Sequence, residues 1–374
     1  MSGYEPVINS AGEAKASIGV DINMDEVMAE RSRFLWTMIL AAAILIVLAV
    51  IIGIFGAFRV VVRPLTRLSV DMVKFSPIAG ADYETCHVLD VTYKKNNEIG
   101  TLYSGIHDMQ TNIVDYLGDI TRLTAEKERI SAELGVAARM QADIVPTNFP
   151  KRDDIQIFAS MTPAREMGGD FYDFFMIDED RMGLVMADVS GKGVPAAMFM
   201  IMAKALLKNR ACAADSLDKP SQILHDVNND LCADNPSALF VTVWFGILTL
   251  STGSLIASNA GHDFPAIRQG DGDYTVTEAE NDPPLAAMED FEYTDQTMQL
   301  ARGDRIFLYT DGVPEAKRED GSRFGTETML TILNRNKTAT SEELLTNMKQ
   351  EIDTFAGDIE PFDDITMMSV VYNG

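Results

Sequence analysis

Twenty-five consecutive residues without a charge, Phe34 to Phe58 (FLWTMILAAAILIVLAVIIGIFGAF), limit what the N-terminal part of this chain can become. Wound as a helix at about 1.5 Å per residue, the run spans roughly 37 Å, enough to cross a hydrocarbon layer of about 30 Å with some tilt. It is too long for the apolar core of a signal peptide, and no small-residue cleavage site follows it. Phe34 and Trp36 at its entry suit a membrane–water boundary. Arg59, Arg63, Arg67 and Lys74 follow the exit, against Arg31 and Arg33 before the entry. That asymmetry predicts a single-pass membrane protein whose C-terminal side faces the cytoplasm. A buried core helix is the alternative.

The remainder has to fold in water, and its composition narrows the chemistry. A net charge of −25 argues against nucleic acid and anionic lipid as partners, because phosphates attract basic surfaces. Three cysteines, Cys86, Cys212 and Cys232, stand at unrelated spacings without a zinc or disulfide pattern. Only four histidines occur, so a metal here would be held by oxygen.

The chain then divides into segments. Residues 1–33 are too short for a domain and form an extracytoplasmic stub. Within them, GVDINMDEV (Gly19 to Val27) resembles the closing strand and exit helix of Cache sensor domains. After the span (residues 34–58), residues 59–113 carry RPLTRL from Arg63, apolar Val70, Met72 and Val73, a connector, and NEIGTL from Asn97. Pro64 is tolerated at a helix start, where its missing N–H costs nothing. Helix, connector and second helix directly after a membrane span resemble a HAMP signalling module, which implies a parallel four-helix bundle in a homodimer. Residues 114–148 form a linker with heptads. Tyr116, Leu123, Ile130 and Ala137 take one seam position, and Ile120, Lys127, Leu134 and Gln141 the other. Such a seam predicts a dimeric coiled coil, in which polar Lys127 and Gln141 lower stability and fix register, making them candidate regulatory positions.

From Ile155 the pattern changes to short β-rich runs: IQIFASM, MGLVMADV, LFVTVWFGILTL, SLIASNAG, RIFLYTDG and DITMMSVVY. Helical stretches fall at about Pro195–Ala214, Ser221–Cys232 and Ser341–Thr354. Strands in groups and helices in pairs predict an α+β fold over residues 149–374. Four aspartates share one setting within it. Asp188 and Asp311 end apolar runs, Asp363 with Asp364 opens one, and Asp170 follows Gly168-Gly169. Each alone reads as a turn residue. Converging, they would make an oxygen cage for Mn²⁺ or Mg²⁺.

Six motifs occur in order: MTPAREMGG (from Met161), GGDFYD (from Gly168), ADVSGKGVPAAM (from Ala187), NAGHDFP (from Asn259), LYTDGVPEA (from Leu308) and DDIT (from Asp363). Together they resemble the PPM metal-dependent protein phosphatases, in the bacterial branch typified by stage II sporulation protein E. The resemblance implies a four-layer αββα sandwich of two antiparallel sheets with a binuclear Mn²⁺/Mg²⁺ centre. Asp188 would bridge both ions with the Val189 carbonyl as a further ligand. Asp170 would hold the second ion, and Asp311 and Asp363 the first. Asp364 and Gly312 would lie just behind. A metal-activated water would attack a phosphoserine or phosphothreonine, so no protein nucleophile is assigned. Ser190 stands where animal-type relatives have a His proposed as general acid. Arg165 is a rough counterpart of their phosphate-binding Arg, and His262 reads as a loop-holding residue. The branch implies a phosphoprotein substrate such as a STAS-domain anti-sigma-factor antagonist, and placement in a bacterial inner membrane.

Competing readings are weaker. Gly168-Gly169-Asp170-Phe171 brushes against the turn of diguanylate cyclases but lacks the Glu before Phe, and no phosphate-loop motif G-x-x-x-x-G-K-[ST] occurs. A catalytically dead phosphatase-fold adaptor is the non-enzyme alternative.

Overall fold

The computed structural model describes residues 2–21, 23–75, 88–89, 97–150, 152–213, 219–277 and 281–374. It divides into two compact units, Met1–Lys127 and Glu128–Gly374.

In the first unit, β1 (Ser2–Ile8) and β2 (Ala14–Asp21) pair as an antiparallel hairpin exposed on both faces. The side chain of Asn23 accepts the Asp25 N–H and starts α1 (Met24–Ala57), with Asp25 and Glu26 in the first turn, where the helix dipole favours negative charge. No residue of α1 is buried, and the helix is long and apolar enough to cross a membrane. Pro64 does not begin a separate helix. A π-helical turn, Phe58–Val62, carries α1 into α2 (Arg63–Lys74) without a break. Pro64 lacks an N–H in any case, and the widened turn, in which the Arg63 N–H reaches the Phe58 carbonyl, accommodates its ring.

The second helix of the HAMP-like segment and the heptad stretch are one element, α3 (Glu98–Ile144), with no boundary at residue 113. It ends two residues before Pro146, which disfavours helix at its predecessor. Leu68, Leu89 and Tyr103 are buried together, with Ile99 and Ile106 against them. The Tyr103 hydroxyl donates to the Pro64 carbonyl (2.8 Å), and Gln110 Oε1 accepts from the Leu89 N–H (2.8 Å). Most of the connector, with Cys86 and His87, lies outside the described residues. Tyr116, Ile120, Leu123 and Ile130 leave an exposed apolar stripe on α3.

The second unit begins with β3 (Ile155–Thr162), followed by β4 (Phe171–Met176) and β5 (Arg181–Val189). Helices α4 (Val194–Ala213) and α5 (Pro220–Ala233) lead to β6 (Val241–Thr249) and β7 (Ser254–Ala260). Short strands β8 (Ala266–Arg268), β9 (Thr275–Val276) and β10 (Asp295–Gln299) come next. Then follow β11 (Arg305–Tyr309), α6 (Thr326–Arg335), α7 (Ser341–Ala356) and β12 (Ile365–Tyr372). Two five-stranded sheets result, ordered β10-β7-β6-β5-β4 and β3-β12-β11-β8-β9, antiparallel throughout.

Strand periodicity assigns the layers. Along β5, Met182, Leu184 and Met186 enter the core between the sheets, while Val185, Ala187 and Val189 meet α4 and α5. Along β12, Met368, Val370 and Tyr372 face the same inter-sheet core, while Ile365 and Met367 pack with α6 and α7. The result is an αββα sandwich. Its central strands are buried on both faces, so they read as continuous apolar runs rather than alternating ones.

Candidate metal centre

The same two-residue alternation aims the aspartates. In β4, Tyr172 and Phe174 point between the sheets, so Asp170 at the same parity does too. Asp188 continues the Met182–Leu184–Met186 face of β5, and Asp364 continues the Met368–Val370 face of β12. All arrive at one end of the inter-sheet gap. Asp170 is buried, and its Oδ2 accepts from the hydroxyls of Thr310 (2.7 Å) and Thr366 (2.6 Å) on the opposite sheet. Asp188 lies close enough to Asp170 for the two carboxyls to perturb each other's charge. Beyond it, Asp188, Thr242, Gly261, His262, Asp263, Asn281 and Asp311 line a cavity of about 180 Å³.

Close backbone approach makes the convergence possible. A Cβ on Gly312 would lie 1.9 Å from the Asp364 carbonyl oxygen, and one on Gly169 would lie 2.8 Å from the Val189 carbonyl oxygen. Only glycine fits at either place. Asp364 ties the turn before Asp170, its Oδ1 accepting from the Ala164 N–H (2.8 Å) and its Oδ2 from the Gly169 N–H (2.8 Å). Both oxygens are thus committed to backbone, which makes Asp364 a support for the site. Asp363 instead is half-buried and pairs with Lys192 (3.0 Å).

Crowding of like charge dominates the electrostatics. Burial, and then Asp188 and Asp364, hold the Asp170 carboxyl well above the usual range. Burial and Asp311 push Asp188 up to about 7. Burial and Asp363 push Asp311 to about 6, and burial and Asp311 push Asp263 to about 6. No Lys or Arg forms an ion pair with Asp170, Asp188 or Asp311 among the described residues. Among those residues, too, no three acidic, imidazole or thiol groups stand in a ready-made coordination geometry. The donor chemistry nonetheless fits hard divalent cations: adjacent carboxylate oxygens, no sulfur, and repulsion that a cation would relieve.

The other expected residues take distinct places. His262 is buried, its Nε2–H donating to the Tyr309 carbonyl (3.1 Å) and its Nδ1 accepting from Thr242 (2.9 Å). Burial lowers its pKa to about 4, so it is neutral and holds the loop that carries Asp263. Ser190 closes the end of β5 onto Phe240, its Oγ accepting the Phe240 N–H (2.9 Å). Arg165 is exposed, in the turn beside Ala164. Lys127 is exposed on α3. Gln141 departs from the heptad expectation. Rather than facing a seam, it is buried, with its Nε2 donating to the Gly168 carbonyl (2.6 Å) and its Oε1 accepting the Gly168 N–H (3.3 Å).

Sequence reasoning missed Asp263, Thr310 and Thr366. Asp263 sits in NAGHDFP beside the histidine that drew notice. The two threonines carry no such signal, since their role shows only once the two sheets face each other.

Comparison with known proteins bears on the same region. The family model described as "Stage II sporulation protein E (SpoIIE)" matches residues 178–373. Protein IcfG of Synechocystis sp. is 31% identical over 309 residues, 75% of this chain and 47% of that protein. Phosphoserine phosphatase RsbU of Bacillus subtilis is 30% identical over 200 residues, 52% of this chain and 57% of that protein. The chain thus spans about half the length of the curated relatives it matches. Among solved structures, the SiaA-PP2C domain of Pseudomonas aeruginosa shares the fold at a TM-score of 0.58 and 23% identity, covering 67% of this chain and 99% of that one.

Proposed function

The chain belongs to the stage II sporulation protein E family, matched over residues 178–373, and we propose from that premise that its C-terminal unit is a metal-dependent phosphatase acting on phosphoserine or phosphothreonine of a partner protein. The observation that carries the reading is the convergence of Asp170, Asp188 and Asp311 without a cationic side chain paired to any of them. Asp188 would hold two ions, with Asp170 and the Val189 carbonyl on one side and Asp311 on the other. Asp363 would join Asp311 on release from Lys192. Two Mn²⁺ or Mg²⁺ ions bound there would acidify water and offset the charge of the phosphoryl oxygens. Thr310 and Thr366 fix the orientation of Asp170, Asp364 fixes the turn that delivers it, and Gly312 lets the two strand ends approach. Arg165, exposed in the turn beside Ala164, would take a phosphate oxygen. The test is phosphate release from phosphoserine peptides by the full chain with Mn²⁺ and after chelation. Release that requires the ion supports the reading, and no release from any phosphopeptide makes the chain an adaptor.

A regulatory reading goes with it. Residues 34–58 would tether the chain to a bacterial inner membrane with the phosphatase in the cytoplasm. The HAMP-like segment and α3 would dimerise, and the substrate would be of the STAS-domain anti-sigma-factor antagonist type. The double hydrogen bond from Gln141 to Gly168, two residues before Asp170, supports a link between α3 and the site. Lys127→Leu would tighten the dimer by ultracentrifugation, and Gln141→Leu would change turnover without tightening it. A Gln141→Leu variant with wild-type turnover would leave α3 a passive tether.

A further inference from the structure

Beside the carboxylate cluster a groove of about 620 Å³ opens between the Arg165 turn, Lys192, the segment after Gly312 and the C-terminal end of α7. The chain has 31 Lys and Arg against 56 Asp and Glu, yet Arg165, Lys192, Lys317 and Arg318 all line this one surface. Acids line it too, but most are matched by neighbours. Glu315 pairs with Arg323 (2.6 Å), Asp353 with Lys349 (2.5 Å) and Asp363 with Lys192 (3.0 Å). Arg165, Lys317 and Arg318 have no ion-pair partner among the described residues, and of the groove's acids only Glu360 also lacks one. The lining is thus balanced in number, four cations against four acids, but the charges left without an ion-pair partner are three cations and one acid, on a strongly negative chain.

Three of its cations are also held in place. The ammoniums of Lys192 and Lys317 lie 4.0 and 4.5 Å from the centroid of the Phe362 ring, and the Arg318 guanidinium lies 4.1 Å from that of Phe355. Stacking on aromatic faces fixes charges that would otherwise sweep through solvent. Phe362 is itself 65% exposed and Ile359 39%, so apolar surface stands between the charges. Gly312 and Asp363 line the groove and adjoin Asp311 and Asp364 in the chain, so it lies beside the cluster.

We propose that this groove docks an acidic segment of the substrate protein flanking its phosphorylated residue, with carboxylates on Lys317 and Arg318 and an apolar side chain against Phe362. The proposal deepens the phosphatase reading and rests on it for the phosphate, whereas the charge complementarity can be tested apart from turnover. A concave trough of this size suits an extended peptide better than a flat anionic membrane.

The experiment uses the full chain in neutral detergent. Two fluorescent unphosphorylated peptides, one Glu-rich with a central Leu and the other its Gln counterpart, are titrated by anisotropy. The acidic peptide should bind about tenfold tighter, with the gap closing as salt is raised. The gap should vanish in the Lys317→Glu/Arg318→Glu variant, shrink in the gentler Lys317→Gln/Arg318→Gln variant, and widen in Glu360→Lys. Phosphoserine forms of both peptides are then compared, and kcat/KM should favour the acidic one about tenfold in the wild-type chain only. Discrimination between the unphosphorylated peptides without hydrolysis of either phosphopeptide would keep the groove and remove the phosphatase reading. Equal binding of the two peptides, or discrimination that survives both Lys317/Arg318 variants, overturns the groove. So does capture of anionic vesicles in place of the acidic peptide.

Discussion

Two carboxylates three residues apart, Asp170 and Asp173, meet opposite fates on the two faces of β4. Asp173 points toward the helices, where its carboxylate pairs with buried Lys204 of α4 and accepts the Phe174 N–H (2.9 Å). Asp170 points between the sheets, where it meets two threonine hydroxyls and the negative charge of Asp188. The helix-side charge is neutralised within the fold, and burial lowers the Lys204 pKa against the pull of Asp173. At the sheet-side site the fold supplies hydrogen-bond donors and further negative charge. A fold that can place a lysine beside one buried carboxylate and surrounds the other with hydroxyls and acids but no cation is built to receive a cation at the second.

The comparison can be broken first at the sheet side. Asp188→Asn should lower phosphate release on the order of 10³-fold, or about 4 kcal/mol of barrier, while leaving the fold intact by circular dichroism. On the helix side the outcome reverses. Lys204→Met strands Asp173 in the core and should cost about 3 kcal/mol of stability in urea unfolding, and adding Asp173→Leu should recover most of it. Turnover of the double variant at a permissive temperature should stay within a few-fold of wild type.

Protonation separates the two faces more finely. The raised pKa values of Asp188 (about 7), Asp311 (about 6) and Asp263 (about 6) mean that the folded chain keeps protons that the unfolded chain releases. Their stabilisation is complete below about pH 4 and is lost as the pH rises through 6 to 7. Chelator-treated protein should melt a few degrees lower at pH 8 than at pH 5, and Mn²⁺ should restore the loss at pH 8. A melting temperature that rises with pH in chelator would contradict the crowding. The smallest effect belongs to Gln141→Leu, which should cost about 1–2 kcal/mol for its two lost hydrogen bonds and alter turnover through the turn before Asp170.

Strands with long apolar runs were legible because double-sided burial leaves an uninterrupted signature, and MGLVMADV and DITMMSVVY lie on β5 and β12, whereas IQIFASM on the edge strand β3 showed as an alternation. The FYDFFM strand, β4, was read only as a motif, because Asp173 interrupts its run for the sake of Lys204. Strands β8, β9 and β10 are two to five residues long, too short to show a period. Asp170 and Asp188 were legible from their positions at strand mouths. Thr310 and Thr366 were not, since a threonine in a strand ordinarily reports propensity and only the facing sheet gives these two a role. Gln141 misled because its heptad position and its hydrogen bond to Gly168 fall on the same residue.

Calorimetric titration of Mn²⁺ into the chelator-stripped full chain tests the central claim most directly. Two ions should bind per chain, and Asp188→Asn should weaken both together, whereas Asp173→Asn should leave the stoichiometry at two. No binding by the wild-type chain, or two ions bound unchanged by Asp188→Asn, would contradict the account.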